Sequence, residues 1–263
     1  MRVFILVRVV AFRFTAPFVT LLPAASVAQD GMQQFHKMQS ALGGRNKIEA
    51  IRDLQECVRA DAWDDQGRFH GEVYKRTRWI RPNVLRLDQV GPGNSYVTYF
   101  DGVAGWQILP DKGFLQLALD ELDFARGNLN GLDVNVWLAD GDASKVFSSP
   151  APNVITLSTR DDDSSKTDIT LSSKTFLPEK ETVVSISHKS HSVVTRTRKF
   201  EEWEAFQGVM FPQRIINFHG DLKVADIRLK ELKLDSGMRT DDVAVRPKGL
   251  KPDCLSAEDS VCT

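Results

Sequence analysis

Residues 84–110 limit the possible folds of this chain more than any other stretch, because three short β-rich runs alternate there with glycine turns. The runs cover 84–90, 95–100 and 106–110, and the turns between them read GPGN and DGVAG. Runs rich in Val, Ile, Tyr, Phe and Trp that end at Gly, Pro, Asn or Asp are typical of consecutive antiparallel strands. The pattern recurs almost to the C-terminus. We therefore predict a mainly β protein with one meandering sheet of about ten to twelve strands, which must curl or close.

One predicted strand, at residues 95–100, is apolar on both of its faces. Its apolar residues, Tyr96, Val97, Tyr99 and Phe100, are distributed over both faces. A strand of this kind must be covered on both sides, by the curvature of the sheet, by a helix or by a ligand.

Helical spacing occurs in three places. Apolar residues recur every three or four positions in 32–42 (Met32, Phe35, Met38 and Leu42), and 45–51 favour a second short helix before the sheet begins. The third place is an insertion at 114–138, with Leu115, Leu119, Leu122, Ala125 and Leu129 at similar spacing. We expect this insertion to cap the concave face of the sheet or to hang over it as a mobile lid.

The sequence predicts that both ends of the chain lie outside the folded domain. Residues 1–28 contain arginines, an apolar run and small residues before Gln29, which is the pattern of a secretory leader. Residues 29–236 then form one β domain, which we expect to be exported, periplasmic and soluble, with no membrane span after cleavage. Residues 237–263 form a polar tail, poorly packed from Asp235 onward. Its Cys254 and Cys262 are the favoured disulfide pair in an oxidising compartment.

No motif in the sequence indicates catalysis or a cofactor. Nucleophile-elbow, zinc-protease, phosphate-loop and dinucleotide motifs are all absent, so we predict no catalytic, cofactor-binding or metal-ligating residues. His188 and His191 form a solvated hairpin tip, and Asp161, Asp162 and Asp163 lack the spacing of a calcium loop. The net charge of −1 excludes the basic footprint of a nucleic-acid-binding protein. Cys57 is expected to be a buried apolar residue.

Several motifs, in order, resemble those of LolA-like outer-membrane lipoprotein-sorting proteins. The stretches 41–44, 81–87, 99–106 and 175–178 resemble the family's opening helix, its strand entry, its Asp-Gly hairpin before a tryptophan and its later proline turn. Residues 203–215 resemble its return strand, so the resemblance covers about 38–236. It implies a strongly curved antiparallel sheet, an incomplete β-barrel whose N-terminal and mid-chain helices cover the concave face. No functional arginine of the family's carriers is carried over.

The resemblance implies a non-enzymatic periplasmic carrier or binder whose concave cavity holds lipid or lipoprotein acyl chains. Six residues are the predicted lining of an apolar ligand cavity: Leu85, Leu87, Tyr96, Tyr99, Trp106 and Ile108. Two alternatives remain open from the residues. One is an envelope protein–protein interaction module that binds no lipid, and the other is a hydrolase with a scattered site.

Overall fold

The computed structural model describes residues 24–93, 95–186 and 192–246, and these residues form a single 13-stranded antiparallel sheet. Each strand pairs with the strands next to it along the chain, except that β6 and β7 do not pair with each other and form the two edges. In addition, β1 pairs with β13. The strands are β1 Asp53–Trp63, β2 Phe69–Ile80, β3 Val84–Val90, β4 Tyr96–Phe100, β5 Gly105–Leu109, β6 Gly113–Gln116, β7 Lys145–Ala151, β8 Val154–Thr159, β9 Asp162–Leu171, β10 Pro178–Ile186, β11 Val193–Phe206, β12 Val209–His219 and β13 Leu222–Leu234. The predicted fold class is confirmed: a curved sheet that does not close into a barrel.

Five α-helices accompany the sheet within the described residues. They are α1 Ala24–Ala41, α2 Arg45–Ala50, α3 Leu119–Asn130, α4 Asp133–Val136 and α5 Thr240–Ala244. The two predicted N-terminal helices are confirmed. The segment α3–α4, together with a 3-10 turn at Ala139–Gly141, forms the helical insertion between the two edge strands.

The helical insertion is shorter than the predicted range 114–138. Two strands, β6 and β7, were not predicted from the sequence. Residues 113–116 form β6, so Leu115 lies in an edge strand, and Leu119 at the start of α3 is 83% exposed. The other strand is β7, which contains Pro150 and three polar residues and therefore lacks a strand pattern. Both lie at sheet edges, where short or proline-containing strands are tolerated because one side needs no hydrogen-bonded partner.

The main core lies on one face of the sheet, here called the inner face, between the strands and the helices. Leu54, Leu87 and Phe211 from the strands share this core with Phe35 of α1 and Leu129 of α3. Strand alternation then fixes which residues face inward. In β13 this alternation changes at Lys230, because Cys57 pairs with Glu231 while Val58 pairs with Leu229. This bulge between Leu229 and Glu231 keeps the apolar residues of β13 on the inner face.

The turn between β4 and β5 shows why the Asp-Gly motif is needed. Asp101 accepts hydrogen bonds on Oδ1 from the backbone N–H groups of Val103, at 2.9 Å, and Ala104, at 2.8 Å. Gly102 has a φ of 98°, and a Cβ there would lie 2.1 Å from the Asn83 side chain. Only glycine fits both the backbone conformation and the space.

Strand β4 is buried on both faces, as predicted, and the structure identifies both covers. Phe100 belongs to the inner core under α3. Val97 and Tyr99 belong to a second cluster on the outer face, which packs against Met238 and Val243. The expectation of a poorly packed tail from Asp235 is wrong for residues 235–246, because this C-terminal segment lies on the outer face and Val243 is 1% exposed.

Hydrogen bonds attach the C-terminal segment at two points. The carboxylate of Asp53 accepts bonds from the backbone N–H groups of Ser236 (2.8 Å), Gly237 (2.9 Å) and Met238 (3.3 Å). The guanidinium of Arg86 donates to the carbonyls of residues 243 and 245 and pairs with the buried Asp88. Residues 1–23 of the predicted leader (1–28) lie outside the described residues, as do His188, His191, Cys254 and Cys262. The last five leader residues, 24–28, belong to α1. Cys57 is free and buried, as predicted.

We expect the contact between α1 and the edge strand β7 to be a main source of stability. Phe35 is fully buried, and its ring packs edge to face on Phe147 with centroids 4.8 Å apart. Phe35→Ala should lower the free energy of unfolding by about 3–5 kcal/mol, the usual cost of a large buried aromatic. Phe124→Ala, at a position 62% exposed, is the control and should change it little. Urea denaturation of both variants checks this, and equal effects would contradict the packing described.

Asp53→Ala should release the C-terminal segment without unfolding the sheet, because it removes the acceptor of several bonds to 236–238. Amide hydrogen exchange should become much faster in 238–245 and in no other described strand or helix. The segment covers Trp106, so the environment of this indole should become more polar and its fluorescence emission should shift to longer wavelength. Exchange that accelerates equally throughout β1 would mean that Asp53 supports the sheet rather than the segment.

Candidate functional site

The six residues predicted to line an apolar cavity do not share one surface. Leu85 and Leu87 are buried in the inner core, and Tyr96 packs against it. On the outer face, beneath the C-terminal segment, lie the remaining three: Tyr99, Trp106 and Ile108. Because consecutive residues of a strand point to opposite faces, Tyr96 and Tyr99 could not both face inward. Of the six, only Leu87 lines the chamber described next, and its contact with a ligand stays a prediction.

A chamber of about 230 Å³, here called the central chamber, lies between the middle strands and the α3–α4 connection. Its sheet wall is formed by apolar side chains that face inward from β1, β3, β12 and β13: Leu54, Val58, Leu87, Phe211, Ile215 and Ile227. Leu132 and Val134 close it from the helical side.

The central chamber also contains charged and polar side chains that the sequence analysis did not single out. Glu56 lies between Leu54 and Val58 on the inner face of β1, and Lys75 and Thr77 follow on β2. Asn128, Asp133, Arg198 and Asn217 complete the polar lining. One signal was present in the sequence, because Glu56 alternates with the apolar Leu54 and Val58 in β1. Recognising it requires the face of each strand to be known.

Arg198 connects the sheet to the helical insertion through two ion pairs. Its guanidinium lies 2.8 Å from Asp133 at the start of α4 and 3.5 Å from Glu181 on the neighbouring strand β10. Burial alone would lower the pKa of Arg198, but the two carboxylates outweigh it and raise the pKa above its ordinary value. Arg198 is therefore charged at every accessible pH, and its charge is compensated within the protein.

Glu56 and Lys75 have the opposite character, because the chamber disfavours the charged form of each. Burial and the nearby carboxylate of Asp133 raise the pKa of Glu56, despite the attraction of Lys75. Burial lowers the pKa of Lys75, although Glu56 acts in the other direction. Burial also raises the pKa of Glu181. Groups whose ionisation is disfavoured by the folded protein are frequent at functional sites.

A second space of about 450 Å³, the side chamber, lies on the other side of the same connection. Leu157, Thr167 and Val183 of β8–β10 form its sheet wall, and Asn135 and Leu138 face them. Gly131 borders both chambers, and Glu181, the partner of Arg198, lines this one. The two chambers are therefore adjacent, with the Asp133–Arg198–Glu181 ion pairs between them.

The helical insertion is attached to α1 and α2 at its C-terminal end. Gln39 donates hydrogen bonds to the carbonyl of Trp137, at 2.9 Å, and to Asp140, at 3.0 Å. Arg45 also forms an ion pair with Asp140. In contrast, the first turns of α3 expose Leu119 and Phe124. The roof of the central chamber is thus fixed at one end and less enclosed at the other.

Within the described ranges, no group of three or more His, Cys, Asp or Glu side chains is arranged to hold a metal ion. None of the described helices combines the length and apolar character that a membrane crossing requires.

The raised pKa of Glu56 gives a testable pH dependence. A group whose folded pKa is raised contributes stability below its unfolded pKa, and this is lost as pH rises through the folded pKa. Glu56→Gln removes this loss of stability at high pH, because the glutamine side chain does not ionise. We therefore expect the variant to be more stable than wild type at about pH 7 and to lose the advantage toward about pH 4, each unit of elevation being worth about 1.4 kcal/mol. Urea denaturation at both pH values measures it, with the exposed Glu179→Gln as control.

A Glu56→Gln variant that is less stable than wild type at both pH values would show that the ionised carboxylate is well compensated, and would contradict this account of the chamber.

The fold is similar to those of two solved structures. A domain assigned to outer membrane lipoprotein-sorting proteins, from Vibrio parahaemolyticus, superposes with a TM-score of 0.54 and 11% identity over 82% of this chain and 97% of that chain. A DUF1329 family protein from Desulfovibrio piger has a TM-score of 0.54 and 10% identity over 88% of this chain and 99% of that one. A LolA superfamily protein from Nitrosomonas europaea is 19% identical over 80% of this chain and 97% of that one, with a TM-score of 0.47.

No protein-family model and no curated protein sequence matches the chain. At these identities the similarity concerns the fold alone. It confirms what the ordered motifs implied, and the chain has a LolA-like fold.

Proposed function

We propose that this chain is a non-enzymatic binding protein of the bacterial envelope, which holds a lipid or a lipidated molecule between the inner face of its sheet and the helical insertion. The observation that carries the proposal is the central chamber, which lies where a tightly packed protein would have a continuous core. Aliphatic side chains such as Val58, Ile215 and Ile227 line part of its wall, and it adjoins the side chamber.

The size and lining of the chambers suit a ligand with an apolar chain. Ligand sites are usually concave spaces of about 300–1,000 Å³ with an apolar wall and few polar groups. The side chamber, at about 450 Å³, falls in that range, and the adjacent central chamber, at about 230 Å³, is smaller. Burying an acyl chain gives about 0.8 kcal/mol per methylene group. A chain enclosed by Val58, Ile215 and Ile227 would therefore be held without specific polar contacts.

The location and the carrier role follow from different lines of support. The leader pattern at 1–28 supports export to the periplasm. The description of the similar Vibrio parahaemolyticus domain as a lipoprotein-sorting domain supports a role in moving or retaining lipidated molecules. In this proposal the protein binds its ligand reversibly and makes no covalent bond with it.

A second candidate function is an interaction module, and one observation favours it. Leu119 and Phe124 on α3 are 83% and 62% exposed, and neither belongs to the two apolar clusters. Exposed apolar residues on one short helix can contact a partner protein. A photo-crosslinker at position 124 tests this: a single envelope protein captured in the absence of lipid binding would favour the module over the carrier.

Filling the central chamber should abolish ligand binding. Ile215 lines the chamber, whereas the next residue, Ile216, points to the outer face of β12. We expect Ile215→Trp to weaken the binding of a fluorescent fatty acid at least about tenfold, a loss of about 1.4 kcal/mol or more, because the indole occupies the space of the chain. Titration followed by fluorescence measures the change.

Ile216→Trp is the matched control, with the same substitution one residue away on the opposite face, and it should bind the fatty acid as wild type does. If wild type binds no fatty acid, or if both variants bind equally well, the chamber is not the ligand site.

A further inference from the structure

The sheet wall of the central chamber carries two charged side chains, Glu56 and Lys75, that have no direct ion-pair or hydrogen-bond partner among the described residues. Glu56 on β1 pairs with Thr77 on β2, so Lys75, two residues earlier on β2, is its diagonal neighbour on the same face. Diagonal neighbours of a sheet are about 7–8 Å apart at most, within reach of a ligand's polar group. Among the described residues, neither side chain forms an ion pair within 4.0 Å or a hydrogen bond.

The other charges around the chamber are already paired. Asp133 and Glu181 both contact Arg198. Arg198 is therefore unavailable as the main contact for an anion, and Asp133 is unavailable for a cation. This leaves Lys75 as the cation and Glu56 as the carboxylate that face the free space of the chamber.

A third group in the chamber also lacks a partner. The side-chain Oδ1 atom of Asn217 is buried and accepts no hydrogen bond from any described residue. A buried acceptor without a donor destabilises the folded protein, because it has lost its hydrogen bonds to water. Together, Glu56, Asn217 and Lys75 present two acceptors and one cationic donor to the same space.

These groups determine which ligand would compensate them. A fatty acid or another anion would pair with Lys75. Its negative charge would then lie close to the carboxylate of Glu56, which repels it. A neutral lipid would leave both charges buried and unpaired, which is costly in an apolar chamber. A head group that has an anion and an ammonium group close together compensates both, and its N–H groups can also donate to Asn217.

We propose that the central chamber binds the zwitterionic head group of an amphiphile, with its anionic group at Lys75 and its ammonium group at Glu56 and Asn217. This inference rests on the proposed function and names the class of ligand. The acyl part of the amphiphile lies along the aliphatic wall formed by Val58, Ile215 and Ile227.

Calorimetric titration with three lipids of the same acyl chain tests the inference on the intact protein. The probes are lysophosphatidylethanolamine, which is zwitterionic, lysophosphatidylglycerol, which is anionic, and monoacylglycerol, which is neutral. We expect the zwitterionic lipid to bind wild type about tenfold more tightly than either of the others, since charge-assisted hydrogen bonds are about twice as strong as neutral ones.

Two substitutions then assign the charges. Lys75→Met and Glu56→Gln should each weaken binding of the zwitterionic lipid about tenfold and change monoacylglycerol binding less than twofold. The matched controls are Lys180→Met and Glu179→Gln, two exposed positions on β10, which should leave all three affinities unchanged. If Lys75→Met does not fold, the order of the three lipid affinities in wild type still tests the head-group assignment.

Glycerophosphoethanolamine, which has the head group but no acyl chain, distinguishes a lipid site from a site for free zwitterions. Weak or undetectable binding of this compound, with tight binding of the lysolipid, supports an amphiphile as the ligand. Equal affinity for all three lipids overturns the head-group assignment while leaving the proposed function intact. Absence of binding for all three overturns both.

Discussion

The pairing of β1 with β13 is the constraint on which the rest of the structure depends. Every other strand pair joins neighbours along the chain, whereas this pair joins residues 53–62 to 225–234. It turns two meanders into one sheet whose middle strands form the wall of the central chamber. It also brings the chain after β13 next to Asp53, which holds the C-terminal segment on the outer face.

The inner face serves both packing and the chamber, and these two roles conflict at a few positions. Around the helices the strands contribute large apolar side chains, and Trp79 is fully buried there. In the middle of the sheet, however, Glu56, Lys75 and Arg198 occupy inward positions. Burying a charge costs stability unless it is paired, and only Arg198 has its partners within the protein. Glu56 and Lys75 are therefore residues whose placement is better explained by a ligand than by folding.

Much of the fold could be predicted because its determinants are local. The strand runs, the turn at Asp101 and Gly102, and the parity change at Lys230 all depend on residues close together in the sequence. The edge strands β6 and β7 could not be predicted so well. Each forms backbone hydrogen bonds to a neighbouring strand on one side, and its side chains need no strict alternation. The helical spacing of 114–138 placed the insertion correctly but not its first residue.

The candidate site was harder to predict, for a physical reason. Sequence patterns show that Tyr96, Tyr99 and Trp106 are apolar, but which of two buried faces they occupy depends on what covers each face. The outer cover is the C-terminal segment, whose polar composition conceals one buried anchor, Val243. Conversely, the sequence analysis did not single out Glu56 and Lys75, because the pairing of β1 with β2 is what places both on the inner face.

The most direct test of the central claim is a high-resolution crystal structure of the protein with lysophosphatidylethanolamine. We predict continuous electron density in the central chamber, with the phosphate beside Lys75, the amine beside Glu56 and the acyl chain along Ile215 and Ile227. Density only on the protein surface, with the chamber closed by its own side chains or filled by water, would contradict the account.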